Sequence, residues 1–160
     1  MKLYYGLTSR YDVFKASQRA VSVFGGNTDV VNMLLGTACA ESHLGTHPDR
    51  HPTKLGVSLV QIDQIRFDDT IARTRVDNRN KFKANYGVSL NDLKLEDLAY
   101  NPFLAMAFAR LIYILIPEKI PSDIEGQAQY WKTYWNTYAD NAAGTVEKYI
   151  EDWHTHMILD

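Results

Sequence analysis

The run Phe103-Leu104-Ala105-Met106-Ala107-Phe108-Ala109-Arg110-Leu111-Ile112-Tyr113 is apolar on nearly every side. A helix with no polar face has to be enclosed by other elements, so this run predicts the central helix of a helical globule. Asn101-Pro102 marks its start, a capping residue followed by proline at the first helical position, where the missing N–H costs nothing. Pro117 ends it. The apolar stretch to Ile116 carries Arg110 and is shorter than the roughly 20 residues that a membrane span needs, so no membrane insertion is expected.

The remaining segments supply the shell. Val13, Phe14, Val21 and Phe24 recur at near-helical spacing between Ser9 and Gly25. Thr28 reads as the cap of a second helix carrying Val30, Val31, Met33, Leu34, Leu35 and Ala38, which should run out near Gly45. Gly45, Pro48, Pro52 and Gly56 then punctuate an irregular insert, and Val57-Ser58-Leu59-Val60 favours a short strand or an extended turn. One further helix is predicted over Phe67 to Tyr86, stopped by Gly87. Ser122-Asp123-Ile124-Glu125 reads as a capping box for the next, with Tyr130, Trp131, Tyr134 and Trp135 on it. A last helix follows Gly144-Thr145, with Val146, Tyr149, Ile150 and Trp153 as its stripe. The expectation is a mainly α fold of about six helices with a small irregular or β insert after the second. At 160 residues, without repeats or long linkers, residues 1–160 are expected to form one domain.

Composition excludes several classes. The 46% hydrophobic and 22% charged fractions are those of a folded protein. With 17 basic against 19 acidic residues the net charge is −2, which gives no electrostatic footprint for nucleic acid. The lone cysteine, Cys39, rules out an intrachain disulfide and any Cys-based zinc knuckle; it reads as a small buried apolar residue. The N-terminal residues lack the apolar run of a secretory peptide, so synthesis in the cytosol without a signal peptide is expected.

One carboxylate stands apart. Glu41 follows the apolar run Leu34-Leu35-Gly36-Thr37-Ala38-Cys39-Ala40 and precedes the glycine and proline insert. An acid at the mouth of a buried helix is partly desolvated, and the negative end of the helix dipole acts the same way, so its pKa should rise. A carboxylic acid still protonated near neutral pH can donate a proton to a leaving oxygen, as glycosidic cleavage requires. A solvated surface glutamate is the plainer alternative.

Glu41-Ser42-His43-Leu44-Gly45, followed by Gly56-Val57-Ser58-Leu59-Val60-Gln61-Ile62-Asp63, resembles the goose-type lysozyme and lytic transglycosylase family. There a catalytic Glu-Ser pair ends a core helix and a glycine-led segment with glutamine follows. Tyr100-Asn101-Pro102 and Tyr134-Trp135-Asn136-Thr137 stand in the order of the family's later landmarks, with Trp135 where the family has tyrosine and Val57-Ser58 in place of a compact Gly-Leu pair.

The resemblance implies a lysozyme-like fold and cleavage of the β-1,4 bond between N-acetylmuramic acid and N-acetylglucosamine, with peptidoglycan glycan strands as partner. Glu41 would be the general acid. Asp63 or Asp49 would position water in a hydrolase; a lytic transglycosylase, in which the sugar's own N-acetyl group attacks, needs neither. Each aspartate also has a structural alternative, a helix cap for Asp63 and a proline-turn residue for Asp49. Ser42 and Gln61 are implied near the acid and the sugar, and Tyr134, Trp135 and Asn136 along the glycan groove, with Trp131 assigned to the core. A short chain of this kind looks like a bacteriophage enzyme, released through a holin pore or carried in the virion beside other virion proteins. The rival is a non-catalytic helical phage structural protein on the same fold.

No metal or cofactor is expected. His43, His47 and His51 have helical spacing, but Gly45 and Pro48 interrupt the helix. His154 and His156 fall short of the three or four convergent ligands a zinc site needs.

Overall fold

The computed structural model describes residues 1–48, 56–137 and 144–160. Among the described residues there are seven α-helices: α1 (Tyr11–Phe24), α2 (Thr28–Ser42), α3 (Gln64–Arg73), α4 (Val76–Tyr86), α5 (Pro102–Ile114), α6 (Ile124–Tyr134) and α7 (Val146–His156). A short 3-10 turn, Leu95–Leu98, precedes α5. The fold is mainly α, as the sequence predicts.

The apolar run behind Asn101 is the central helix. Asn101 accepts a hydrogen bond from the Leu104 backbone N–H at 3.1 Å, Pro102 begins α5, and Ala105 to Ala109 are all fully buried. Helix α1 packs along α5, and α2 packs on α1 and α7. Phe67 of α3 stacks on Phe108 with ring centroids 4.8 Å apart, and Phe82 of α4 closes on Phe24 at 6.4 Å. Buried side chains from all seven helices join in one apolar core.

Three local expectations are corrected. The cap of α2 is Asn27, whose side chain accepts from Val30 N–H at 3.3 Å, so Thr28 is the first helical residue. The predicted helix over Phe67 to Tyr86 is two helices, broken at Thr74, which has extended backbone. The break is held by Arg79: its guanidinium donates to the freed carbonyls of Ile71 and, at 2.9 Å, of Thr74. Carbonyls orphaned at a helix end need such partners. The capping box before α6 does not close. Asp123 occupies the cap without a side-chain bond, and Gln127 instead ties the entrance down by donating to Pro121 O (2.9 Å) and to Asp29 O of α2 (3.1 Å).

The described end of the insert, residues 56–62, forms a turn. Val57 and Ile62 exchange backbone hydrogen bonds of 2.8 and 2.9 Å, the single antiparallel bridge found among the described residues, and close the loop Ser58–Gln61. Ser58 and Gln61 lie in the left-handed region, with φ of 78° and 51°. Leu59 and Val60 are fully buried beneath them.

Candidate active site

Helix α2 is apolar until its last turn, and Glu41 lies one residue before its end at Ser42. His43 terminates the helix in left-handed conformation (φ 50°), and the N–H groups of His43 and Leu44 fold back onto the Cys39 and Ala38 carbonyls at 3.0 and 3.1 Å. This ending fixes the direction in which Glu41 leaves the core. The residue keeps part of its surface at the mouth of a cleft, while its carboxyl group is packed round by protein.

Burial pushes the Glu41 carboxyl up to about 7, since a charge stripped of water is disfavoured. The Trp131 indole N–H, donating to Glu41 Oε1 at 3.2 Å, and the Arg66 cation act in the opposite direction, and the Asp152 charge reinforces the rise. Near neutral pH the group therefore exists in both protonation states, as a proton donor to a leaving oxygen requires. Trp131 is 2% exposed, so it is the core residue that its spacing predicts. It is also the acid's hydrogen-bond donor, which helical spacing on α6 alone does not reveal.

The cleft has a volume of about 130 Å³ and is walled by Glu41, Gln61, Asp63 and Arg66 on one side and by residues 135–137 on the other. Gln61 reaches it through its left-handed backbone, and its side-chain amide donates to Ser58 O at 2.7 Å. Gln61 also borders a larger groove of about 530 Å³ that runs past Tyr4, Tyr5, Val57 and Tyr100. Gly6 lets that groove's floor form. A Cβ there would stand 2.0 Å from the Tyr100 carbonyl oxygen, and its φ of +78° favours glycine as well.

Asp63 is the helix cap that its structural alternative predicts, and it stands in the cleft wall. Its Oδ1 accepts from the Arg66 backbone N–H at 2.8 Å and caps α3, and the residue lines the cleft beside Glu41. Arg66 is a site residue that the sequence motifs did not single out. Its guanidinium donates to the carbonyls of Tyr134 (3.0 Å) and Trp135 (3.1 Å) and lies 5.3 Å from the centre of the Trp135 ring. It thereby fixes the end of α6 against the start of α3. The signal available in sequence was only its place three residues after a capping aspartate.

The other implied residues divide. Trp135 and Asn136 line the cleft; Trp135 is 6% exposed and its ring lies 5.1 Å from that of Tyr113, so only an edge is presented. Asn136 accepts from the Lys132 ammonium at 3.0 Å. Tyr134 is not in the cleft. It packs on Tyr130 at 4.8 Å and borders a separate groove with Ile65 and Asp69, because it falls on another face of α6 from Trp131 and Trp135. Ser42 is fully buried and turned away from the cleft. Its hydroxyl donates to Leu59 O at 2.7 Å and accepts from Gly45 N–H at 3.1 Å, so it ties the helix end to the Ser58–Gln61 loop. Asp49 and His51 lie outside the described residues.

Arranged in this way, the cleft can protonate an oxygen at Glu41 and place a second carboxylate and an amide around the same small volume. Among the described residues no helix is long and apolar enough to cross a membrane. Comparisons with family models, curated proteins and solved structures give no match to this chain.

Proposed function

We propose that this protein is a muramidase, hydrolysing the β-1,4 bond between N-acetylmuramic acid and N-acetylglucosamine in peptidoglycan. The observation that carries the reading is the setting of Glu41: an enclosed carboxyl at the end of a core helix, held by the Trp131 indole at 3.2 Å and opening on a cleft shared with Asp63 and Gln61. Protonated Glu41 gives its proton to the bridging oxygen as the glycosidic bond breaks. Asp63 takes the proton of the attacking water, and the Gln61 amide orients the sugar between the small cleft and the tyrosine-lined groove. That larger groove leaves room for further units of a glycan chain. A net charge of −2 gives no attraction to an anionic wall, which fits an enzyme delivered by other virion proteins better than one that must find the wall by diffusion.

The test is digestion of purified peptidoglycan with the released muropeptides identified by mass. Products with reducing N-acetylmuramic ends support hydrolysis. Products lighter by one water, the anhydro form, mean a lytic transglycosylase and remove Asp63 from the mechanism. No products from any peptidoglycan chemistry would overturn the enzymatic reading in favour of a structural role.

A further inference from the structure

The end of α2 meets the last two turns of α7, and His43 from the first converges there with Asp152 and His156, four residues apart on the second. His43 and His156 stack ring on ring, with centroids 4.0 Å apart and planes 9° from parallel. Their Nε2 atoms stand 3.6 and 3.9 Å from the same oxygen, Oδ1 of Asp152, and one ligand atom from each of the three residues lies within 4.8 Å of the others. These distances are too long for hydrogen bonds, which for N–H···O run to about 3.2 Å. They are close to the separation of ligand atoms around a tetrahedral ion: bonds of about 2.0–2.1 Å to zinc put neighbouring ligand atoms about 3.3–3.4 Å apart. An ion bound by an imidazole lies in the plane of that ring, so the two stacked rings cannot both reach one ion as they stand, and closing the site takes rotation of one ring out of the stack about its soft terminal torsion.

Asp152 adds a second reason to look for a cation. It is only 3% exposed, and a carboxylate buried to that degree needs a counter-charge. Lys148, one turn earlier on α7, supplies one to the same Oδ1 from a side chain that is half exposed, and it would compete with a bound ion. His47, with its ring 5.0 Å from that of His43, stands next to the cluster.

We propose that His43, Asp152 and His156 form a zinc site that clamps α7 to the end of α2, with water or His47 in the fourth position. Two imidazoles and one carboxylate are a donor set suited to Zn²⁺. The clamp would brace the helix whose Tyr149 packs on Trp131, at 5.4 Å between rings, and so support the donor to Glu41. The proposal is independent of the muramidase reading, and its test measures binding.

Protein stripped with chelator and dialysed is titrated with Zn²⁺ alone, reading bound metal per chain and the melting temperature. The expected result is one ion per chain and a rise of about 5–10 °C in Tm at a hundredfold excess over Kd. His156→Gln, at the end of α7, and His43→Asn, which tolerates the left-handed backbone, should each weaken binding at least tenfold, since loss of even an outer-shell partner of a ligand costs about that much. Lys148→Met, which removes the competing cation, should strengthen it severalfold, an effect that adventitious surface histidines would not show. His154→Gln is the control and should change nothing. Absence of stoichiometric binding, or binding by both histidine variants as tight as wild type, would overturn the site.

Discussion

The sharpest consequence of the Glu41 environment is that the residue should destabilise the fold it serves. Its carboxyl titrates near 4.5 when unperturbed and at about 7 in the folded protein. The folded state therefore holds a proton that the unfolded chain releases, and stability falls as pH rises from the lower value to the higher. Replacing Glu41 by Gln removes the titration and keeps a side-chain oxygen to accept from Trp131. At about pH 4 the two proteins should be equally stable, apart from any fixed difference between amide and acid. By about pH 8 the glutamine variant should have gained on the order of 3 kcal/mol, the cost of ionising a carboxyl shifted by two to three units at 1.36 kcal/mol each. For a chain of this length that is about 6–12 °C in Tm. The assay is a set of thermal melts of both proteins across that range, in chelator so that no bound metal adds charge beside the carboxyl. A gain that is flat with pH, or that grows as pH falls, would refute the claim that burial holds Glu41 protonated.

Three further outcomes follow from the geometry. Trp131→Phe deletes the hydrogen bond that favours the Glu41 anion, so the alkaline limb of the kcat/KM profile should move up by about one pH unit; a limb that stays in place would separate Trp131 from the acid. Gly36→Ala puts a Cβ 1.9 Å from the Tyr149 hydroxyl and should cost about 1–3 kcal/mol in denaturant unfolding, whereas a neutral result would mean that α2 and α7 are not in contact there. Ser42→Ala leaves the buried Leu59 carbonyl without its hydroxyl donor and should lower stability by about 1–3 kcal/mol, the cost of orphaning a buried acceptor. Its pH–rate profile should keep its shape, because the serine faces the loop and not the acid.

What sequence could reveal here was whatever a local pattern encodes. Asn101-Pro102 and the run behind it specify the central helix because capping and all-round apolarity act within a few residues. Glu41 stands out from its own segment, whereas Gln61 and Asp63 are grouped with it only by the resemblance that the two motifs carry. The break at Thr74 is not legible, since it is stabilised by a guanidinium five residues further on that finds two carbonyls only once α4 has turned. Trp131 and Arg66 escape for the same reason: each acts on a residue some 70 to 90 positions away, and periodicity carries no information about which buried ring faces which carboxyl. Ser42 shows the opposite failure. Its place in the motif points to the acid's surroundings, but its rotamer sends the hydroxyl to Leu59. His43 and His156 are unremarkable within their own segments and meet only because α7 packs on the end of α2.

The central claim is that Glu41 delivers the proton, and the most direct test compares wild type with Glu41→Gln on the same peptidoglycan, after melts have shown that both are folded. The account predicts that release of muropeptides falls at least about 10²-fold in the variant, the usual contribution of a positioned general acid. Muropeptide release by the folded variant within about tenfold of wild type, short of that contribution, would contradict it and place the chemistry elsewhere on the chain.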